Sequence, residues 1–230
     1  METINLSLQH SLLGQYMAEL RDSRYQTNRL LFRNNIRRIG QVMAYELSKR
    51  LSYRERQVQT PLGMATVSVP ADRLVLATVL RAGLPMHEGF LDMADGADNA
   101  FVTAYREYTD EQHSDVSVCC EYMASPSLDG KVLVVVDPML AAGGSMYATL
   151  MSLLSNGTPR AIHICCVVAA PEGIELLRHT AQTLTGSDGQ PMPVTLWAAA
   201  IDDGLNEHKY IVPGLGDAGD LCFGEKLRHK

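Results

Sequence analysis

Asp137 ends a valine run, Val134-Val135-Val136, and is followed by Pro138-Met139-Leu140-Ala141-Ala142-Gly143-Gly144-Ser145. A carboxylate thus stands beside a small-residue loop that leads into a helical pattern. Loop amides and a helix N-terminus attract anions, phosphate above all. The glycines let backbone approach a ligand with no Cβ in the way. The acid would repel phosphate and suits hydroxyls or a metal ion instead. A ligand carrying both phosphate and sugar hydroxyls is implied. Two other phosphate motifs fail on residue identity: no lysine precedes Ser145, so this is not a P-loop, and the loop does not spell G-x-G-x-x-G. Taken alone, an ordinary β–α turn with Ser145 as helix cap fits the same residues.

Further candidates follow other apolar runs. Arg81 comes after Leu74 to Leu80 and before Ala82-Gly83, a small turn that would let a phosphate or diphosphate reach the guanidinium. Arg106 follows a run from Ala100 to Tyr105; pairing with Glu107 is its other reading. Pro138 removes a donor and stiffens the turn, which directs the Asp137 carboxylate outward. The stretch from Ile201 to Asp220 is rich in Gly, Pro and Asp. Such a coil could present backbone N–H and C=O groups to a small planar ligand, or be a surface Ω-loop. His208 reads as a solvated loop residue, and no H-E-x-x-H metal motif occurs.

These residues need a scaffold. Apolar runs at 74–80, 100–105, 116–123, 132–136, 161–170 and 194–200 read as strands. Helical patterns lie between them at 86–93, 146–154 and 172–180, and one amphipathic helix is read over about 25–50. A small β element spans 58–69, turning at Pro61-Leu62-Gly63. Continuous apolar strands alternating with helices predict an α/β fold, a parallel β-sheet flanked by helices. Ligands of such sheets sit beyond the strands' carboxyl ends. Four of those ends carry polar residues: Arg81, Arg106, Asp137 and Asp202-Asp203. The strands at 101–123 read as a projecting hairpin.

The 230 residues are read as one domain; 46% hydrophobic against 20% charged residues argues against disorder. A net charge of −6 excludes a general nucleic-acid field, and the local cluster Arg29, Arg33, Arg37, Arg38, Lys49 and Arg50 reads as a solvated helix face. No apolar run reaches membrane-span length, and the N-terminus lacks a basic signal region. The five cysteines include two vicinal pairs, Cys119-Cys120 and Cys165-Cys166, a spacing suited neither to metal nor to C-x-x-C redox chemistry. Buried reduced thiols and a cytoplasmic location are expected.

The Asp137-to-Ser145 loop resembles the phosphoribosyl-diphosphate loop of the uracil phosphoribosyltransferases, where Asp-Pro replaces the Asp-Asp of other type I phosphoribosyltransferases. Leu80-Arg81-Ala82-Gly83-Leu84, Tyr105-Arg106, Ala169-Ala170-Pro171-Glu172-Gly173 and Gly204-Leu205-Asn206-Glu207 match in order. So does Tyr210-Ile211-Val212-Pro213-Gly214-Leu215-Gly216-Asp217-Ala218-Gly219-Asp220 with Phe223-Gly224, and Phe32-Arg33 and Tyr45-Glu46 upstream.

The resemblance implies the type I phosphoribosyltransferase fold, with N-terminal helices over about 5–50 and a base-binding segment over about 201–224. It implies transfer of ribose 5-phosphate from phosphoribosyl diphosphate (PRPP) to N1 of uracil, giving UMP and diphosphate. The PRPP-binding set would be Arg81, Arg106, Asp217 and the loop from Asp137 through Pro138, Met139, Leu140, Ala141, Ala142, Gly143 and Gly144 to Ser145. Ile211, Gly216, Asp217 and Ala218 would hold uracil through backbone, and Asp217 and Arg106 would be the catalytic pair. Mg2+ would arrive on PRPP rather than in a protein cage. The family precedent is a homodimer or larger, with the helix at 25–50 as interface and GTP as a possible effector. Several residues depart from the family pattern: Ala142 stands for Thr, Pro85 for Gly, His87 for a small or apolar residue and Lys209 for Gly, while Tyr108 and Thr109 take acidic positions. They bear on PRPP affinity and GTP activation. A non-catalytic, pyrimidine-nucleotide-responsive regulator on the same fold is the alternative, and a purine-specific enzyme a second.

Overall fold

The computed structural model describes the backbone of residues 1–108 and 116–226, with side chains described outside 104–121. Strand β1 (Glu2–Asn5) precedes helices α1 (Leu13–Arg21), α2 (Ser23–Gln26) and α3 (Arg29–Ser48). A hairpin follows, β2 (Tyr53–Thr60) and β3 (Gly63–Pro70). The central part runs β4 (Leu74–Leu80), α4 (Leu84–Leu91), β5 (Asp98–Tyr108), β6 (Val116–Ala124), β7 (Val132–Val136) and β8 (Met139–Leu140). It continues with α5 (Gly144–Leu154), β9 (Ala161–Ala169), α6 (Pro171–Thr183) and β10 (Val194–Ile201). The tail holds β11 (Gly204–Leu205), β12 (Ile211–Val212) and α7 (Ala218–Phe223).

The main sheet has the order β1-β10-β9-β7-β4-β5-β6, with β8 beside β9. Pairings are parallel except β5 with β6, the expected hairpin, which carries an irregularity between Thr103 and Ala104. One face packs on α3 and α4 through Leu76, Val134, Val136, Ile36, Ile39 and Met43. The other packs on α5 and α6 through Val75, Leu133, Val135, Leu150 and Leu177. Burial on both faces is why these strands read as unbroken apolar runs. From β4 the chain goes to β5 on one side, and β7 lies on the other. The strand order therefore reverses between β4 and β7, and that crevice is where ligands of open α/β sheets bind.

Three expectations need correction. The helix read over 25–50 is broken: α2 ends at Gln26, and Asn28 caps α3 by accepting the Leu31 N–H at 3.1 Å. The N-terminal segment contributes an edge strand as well as helices, β1, whose four residues are too short for periodicity to reveal. The basic residues on α3 are more than a solvated face. Arg37 binds Asp92 with two hydrogen bonds of 2.7 Å, Arg33 donates to the Cys222 carbonyl, and Arg50 pairs with Glu2. Cys165, Cys166 and Cys222 are free and buried, as expected; burial pushes the thiol of Cys222 up to about 12. No helix among the described residues is long and apolar enough to cross a membrane.

Candidate active site

The Asp137–Ser145 loop is held from beneath by the sheet and from the side by α6. Asp137 N–H donates to the Cys165 carbonyl, and the Val167 and Val168 N–H groups both donate to Pro138 O at 3.0 Å. Met139 and Leu140 then pair with Val168 and Ala169 as the short strand β8. Gly143 has φ 87°, a left-handed conformation that turns the loop into α5 without steric cost. Ser145 is therefore not the cap; that position belongs to Gly143, which has no side chain to cap with. Among the described residues the Ser145 hydroxyl makes no hydrogen bond within the chain, so it is free for a ligand. The loop's fit against α6 is tight: a Cβ on Gly173 would lie 2.4 Å from the Ala141 carbonyl oxygen. Gly173 fixes where Ala141 sits.

Asp137 lies half-buried at the end of β7. Burial pushes its carboxyl up to about 7, opposed by one loop hydrogen bond, from the Met139 N–H at 3.3 Å. The carboxylate accepts a loop amide and has no other partner among the described residues.

Arg81 begins the turn beyond β4, across the crevice from Asp137. Gly83 brings the two strand ends together: a Cβ there would lie 2.9 Å from the Val136 carbonyl and 2.3 Å from Thr78 Oγ1. The exposed Arg81 guanidinium donates to Asp220 at 2.8 Å and to the Gly224 carbonyl at 3.2 Å. Both partners belong to the C-terminal segment, so the coil and the β4 turn meet over the switch point. Arg106 lies in β5 opposite Val118 by register, but its side chain is outside the described residues.

The coil is anchored by the strand-end acid Asp202 together with Arg21 and Gln26, two residues that the sequence did not single out. Asp202 accepts from Arg21 at 2.6 and 3.0 Å and from the Gly214 N–H at 2.9 Å, while Arg21 also donates to the Gly214 carbonyl. Gln26 donates to the carbonyls of Leu20 and Leu215. Asp202, expected at the ligand, is thus buried and committed to structure. Arg21 and Asp202 are 181 residues apart, and no local signal pairs them. Asp217 caps α7, with Oδ1 accepting the Asp220 N–H at 3.0 Å; its Oδ2 faces Lys226 at 3.9 Å. Ile211, Leu215 and Ala218 are buried against the α3 side of the core, whereas Gly216 is exposed with φ 85°. His208 is exposed, as read.

A cavity of about 460 Å3 opens at the other ends of the strands, lined by Leu74, Asp98 and α3 residues. It shares no residue with the candidate set.

The family model described as uracil phosphoribosyltransferase matches residues 7–225. A uracil phosphoribosyltransferase of Porphyromonas gingivalis is 50% identical over 227 residues, covering 99% of this chain and 100% of that protein. One from Dictyoglomus thermophilum is 38% identical, covering 94% and 97%. A solved protein from Aquifex aeolicus superposes with a TM-score of 0.81 at 26% identity, covering 98% of this chain and 100% of that one. A family model matched over residues 7–225 and a relative 50% identical along nearly the whole chain place it in the uracil phosphoribosyltransferase family.

Proposed function

We propose that this chain is a pyrimidine-salvage enzyme that transfers ribose 5-phosphate from PRPP to N1 of uracil, with the site contained in one domain. The observation that carries this reading is the junction of three elements at the β4–β7 switch point: the Asp137–Ser145 loop, the Arg81 turn and the coil from Ile211 to Asp220. In this reading the N–H groups of Ala141 to Gly144 and the Ser145 hydroxyl hold the 5-phosphate. Asp137 takes the ribose hydroxyls. Arg81 exchanges Asp220 for diphosphate oxygens, and Arg106 reaches the same group from β5. Uracil lies against the backbone of Ile211, Gly216, Asp217 and Ala218.

Breaking the sugar–diphosphate bond leaves a cationic sugar and a highly charged leaving group. The residues required are those that neutralise charge and align N1 with the sugar, so no nucleophilic side chain is needed. Backbone groups that pair uracil's N3–H and O4 would leave cytosine unmatched and reject it. The donor set fits a Mg2+ ion carried in on PRPP. Among the described residues no group of three or more acidic, His or Cys side chains could cage a metal, and Mg2+ commonly takes one or two carboxylates plus substrate phosphates. Asp217 would be the carboxylate that meets it, and the ion when bound would supply charge neutralisation on the diphosphate.

A homodimer is part of this reading, with its interface moved. The apolar stripe of α3 (Phe32, Ile36, Ile39, Met43) is spent on the core. Among the described residues the β2–β3 hairpin instead pairs only with itself, and it is exposed along nearly all of its length, with Leu62 at its tip 99% exposed. A lone two-stranded ribbon is marginal in water, and a second copy would cover it.

The test is a nucleobase panel with PRPP and Mg2+. UMP from uracil, with turnover at least a hundredfold above that with cytosine or any purine, is expected. No UMP, or a purine nucleotide as main product, would refute the reading, and binding of UMP without turnover would favour a regulator.

A further inference from the structure

Glu172 and Leu205 belong to two separate stretches of the family pattern, Ala169-Ala170-Pro171-Glu172-Gly173 and Gly204-Leu205-Asn206-Glu207, and they meet in the structure. The Leu205 N–H donates to Glu172 Oε1 at 3.1 Å across 33 residues of chain. Gly204 keeps the approach clear, since a Cβ there would stand 3.3 Å from the same oxygen. Leu205 lies on β11, opposite Ile211 on β12, with Gly204 opposite Val212. The Asn206 N–H donates to the Tyr210 carbonyl at 2.9 Å and closes this small ribbon. Glu172 therefore ties α6 to a ribbon that carries Ile211 at the start of the coil.

The next residue points to the other half of the site. A Cβ on Gly173 would lie 2.4 Å from the Ala141 carbonyl oxygen, so Gly173 is seated on the Asp137–Ser145 loop. Two neighbours in the first turn of α6 thus touch two different parts: Gly173 the loop, Glu172 the coil. A turn of helix is a rigid spacer, and transfer between two bound substrates depends on how their reacting atoms are spaced. A carboxylate in a first turn is also favoured by the helix dipole, but the dipole does not require a partner on Leu205.

We propose that Glu172 is a positioning residue for the nucleobase: its carboxylate holds the β11–β12 ribbon, and through it Ile211, at a set distance from the Asp137–Ser145 loop. It acts through the backbone of Leu205 and touches neither substrate. Its effect on uracil rests on the proposed reading of the coil as the base site, whereas the tie between α6 and the ribbon does not.

The test compares Glu172→Ala with Glu172→Gln in the full chain. Glu172 is exposed, so neither change disturbs the core. Glutamine gives up the charge but keeps an oxygen that can accept the Leu205 N–H. Hydrogen exchange over residues 203–212, read without substrates, should be several-fold faster in Glu172→Ala and unchanged in Glu172→Gln. In turnover, Glu172→Ala should raise the KM for uracil about tenfold, the scale of one hydrogen bond to a charged group. The KM for PRPP and kcat should stay within about twofold, as expected when binding of one substrate alone is weakened. Glu172→Gln should restore the KM for uracil. Exchange that is no faster in Glu172→Ala overturns the tie. Faster exchange with the KM for uracil unchanged overturns the positioning role. An equal rise in both KM values, or a glutamine variant as impaired as the alanine one, overturns it too, because the first is a general structural effect and the second an effect of charge. Unaltered protein that makes no UMP sinks the transferase reading, and with it the role toward uracil, while exchange still decides the tie.

Discussion

At the residue scale, Asp137 is the least settled group of the site, because it combines a functional position with an unfavourable one for a charge. Its carboxyl is raised from 3.8 to about 7 by burial. A raised carboxyl binds its proton more tightly in the folded than in the unfolded protein. Folding stability from this group is therefore present below pH 4 and is lost as pH rises from about 4 to about 7. Asp137→Asn should flatten that part of the stability-versus-pH curve, read from urea midpoints, and should cost at least tenfold in kcat/KM for PRPP. An unchanged slope would mean that the acid is not desolvated as described. Ala142 is the other residue with a direct prediction. The loop lacks the threonine hydroxyl that the family resemblance implies there, and Ala142→Thr should lower the KM for PRPP several-fold with kcat unchanged; a raised KM would show that the loop has no room for it.

At the element scale, the site is a matter of how turns are pressed together. Gly173 on α6 sets the height of the phosphate loop, because its missing Cβ is what allows Ala141 O to lie where it does. Gly173→Ala must push either α6 or the loop away. We expect a stability loss of about 1–3 kcal/mol from overpacking, together with a rise in the KM for PRPP that exceeds any rise for uracil. A stability loss with both KM values unchanged would place the loop outside the binding site. The elements were legible where one chemical signal ran uninterrupted. The valine run, its acid and the small-residue turn announced β7, the loop and α5, and the four sheet strands buried on both faces, β4, β7, β9 and β10, were found as apolar runs. Legibility failed where structure depends on distant partners. β1 exists because β10 offers it an edge, Asp202 is structural because Arg21 reaches it from α1, and the break at Thr27 is fixed by Asn28, a cap that helical periodicity does not register. Lys209, read as a departure from Gly, sits at φ 61°, a left-handed conformation that glycine adopts at less cost.

At the scale of the whole molecule, one feature points beyond the single chain. The β2–β3 hairpin is a two-stranded ribbon outside the main sheet. Sedimentation should show a dimer or larger species at micromolar concentration. Leu62→Asp together with Val67→Asp on the hairpin should shift it toward monomer, and a monomer in the unaltered protein would remove the hairpin's assigned role. The central claim is that one switch-point pocket holds the phosphate in the Ala141–Ser145 loop and the pyrimidine against the coil. A crystal structure with UMP bound tests it most directly. The phosphate is expected on the N–H groups of that loop, and the uracil ring within hydrogen-bond distance of the backbone of Ile211 and of Gly216 to Ala218. UMP with its base turned away from the coil, or its phosphate held elsewhere, would contradict the account.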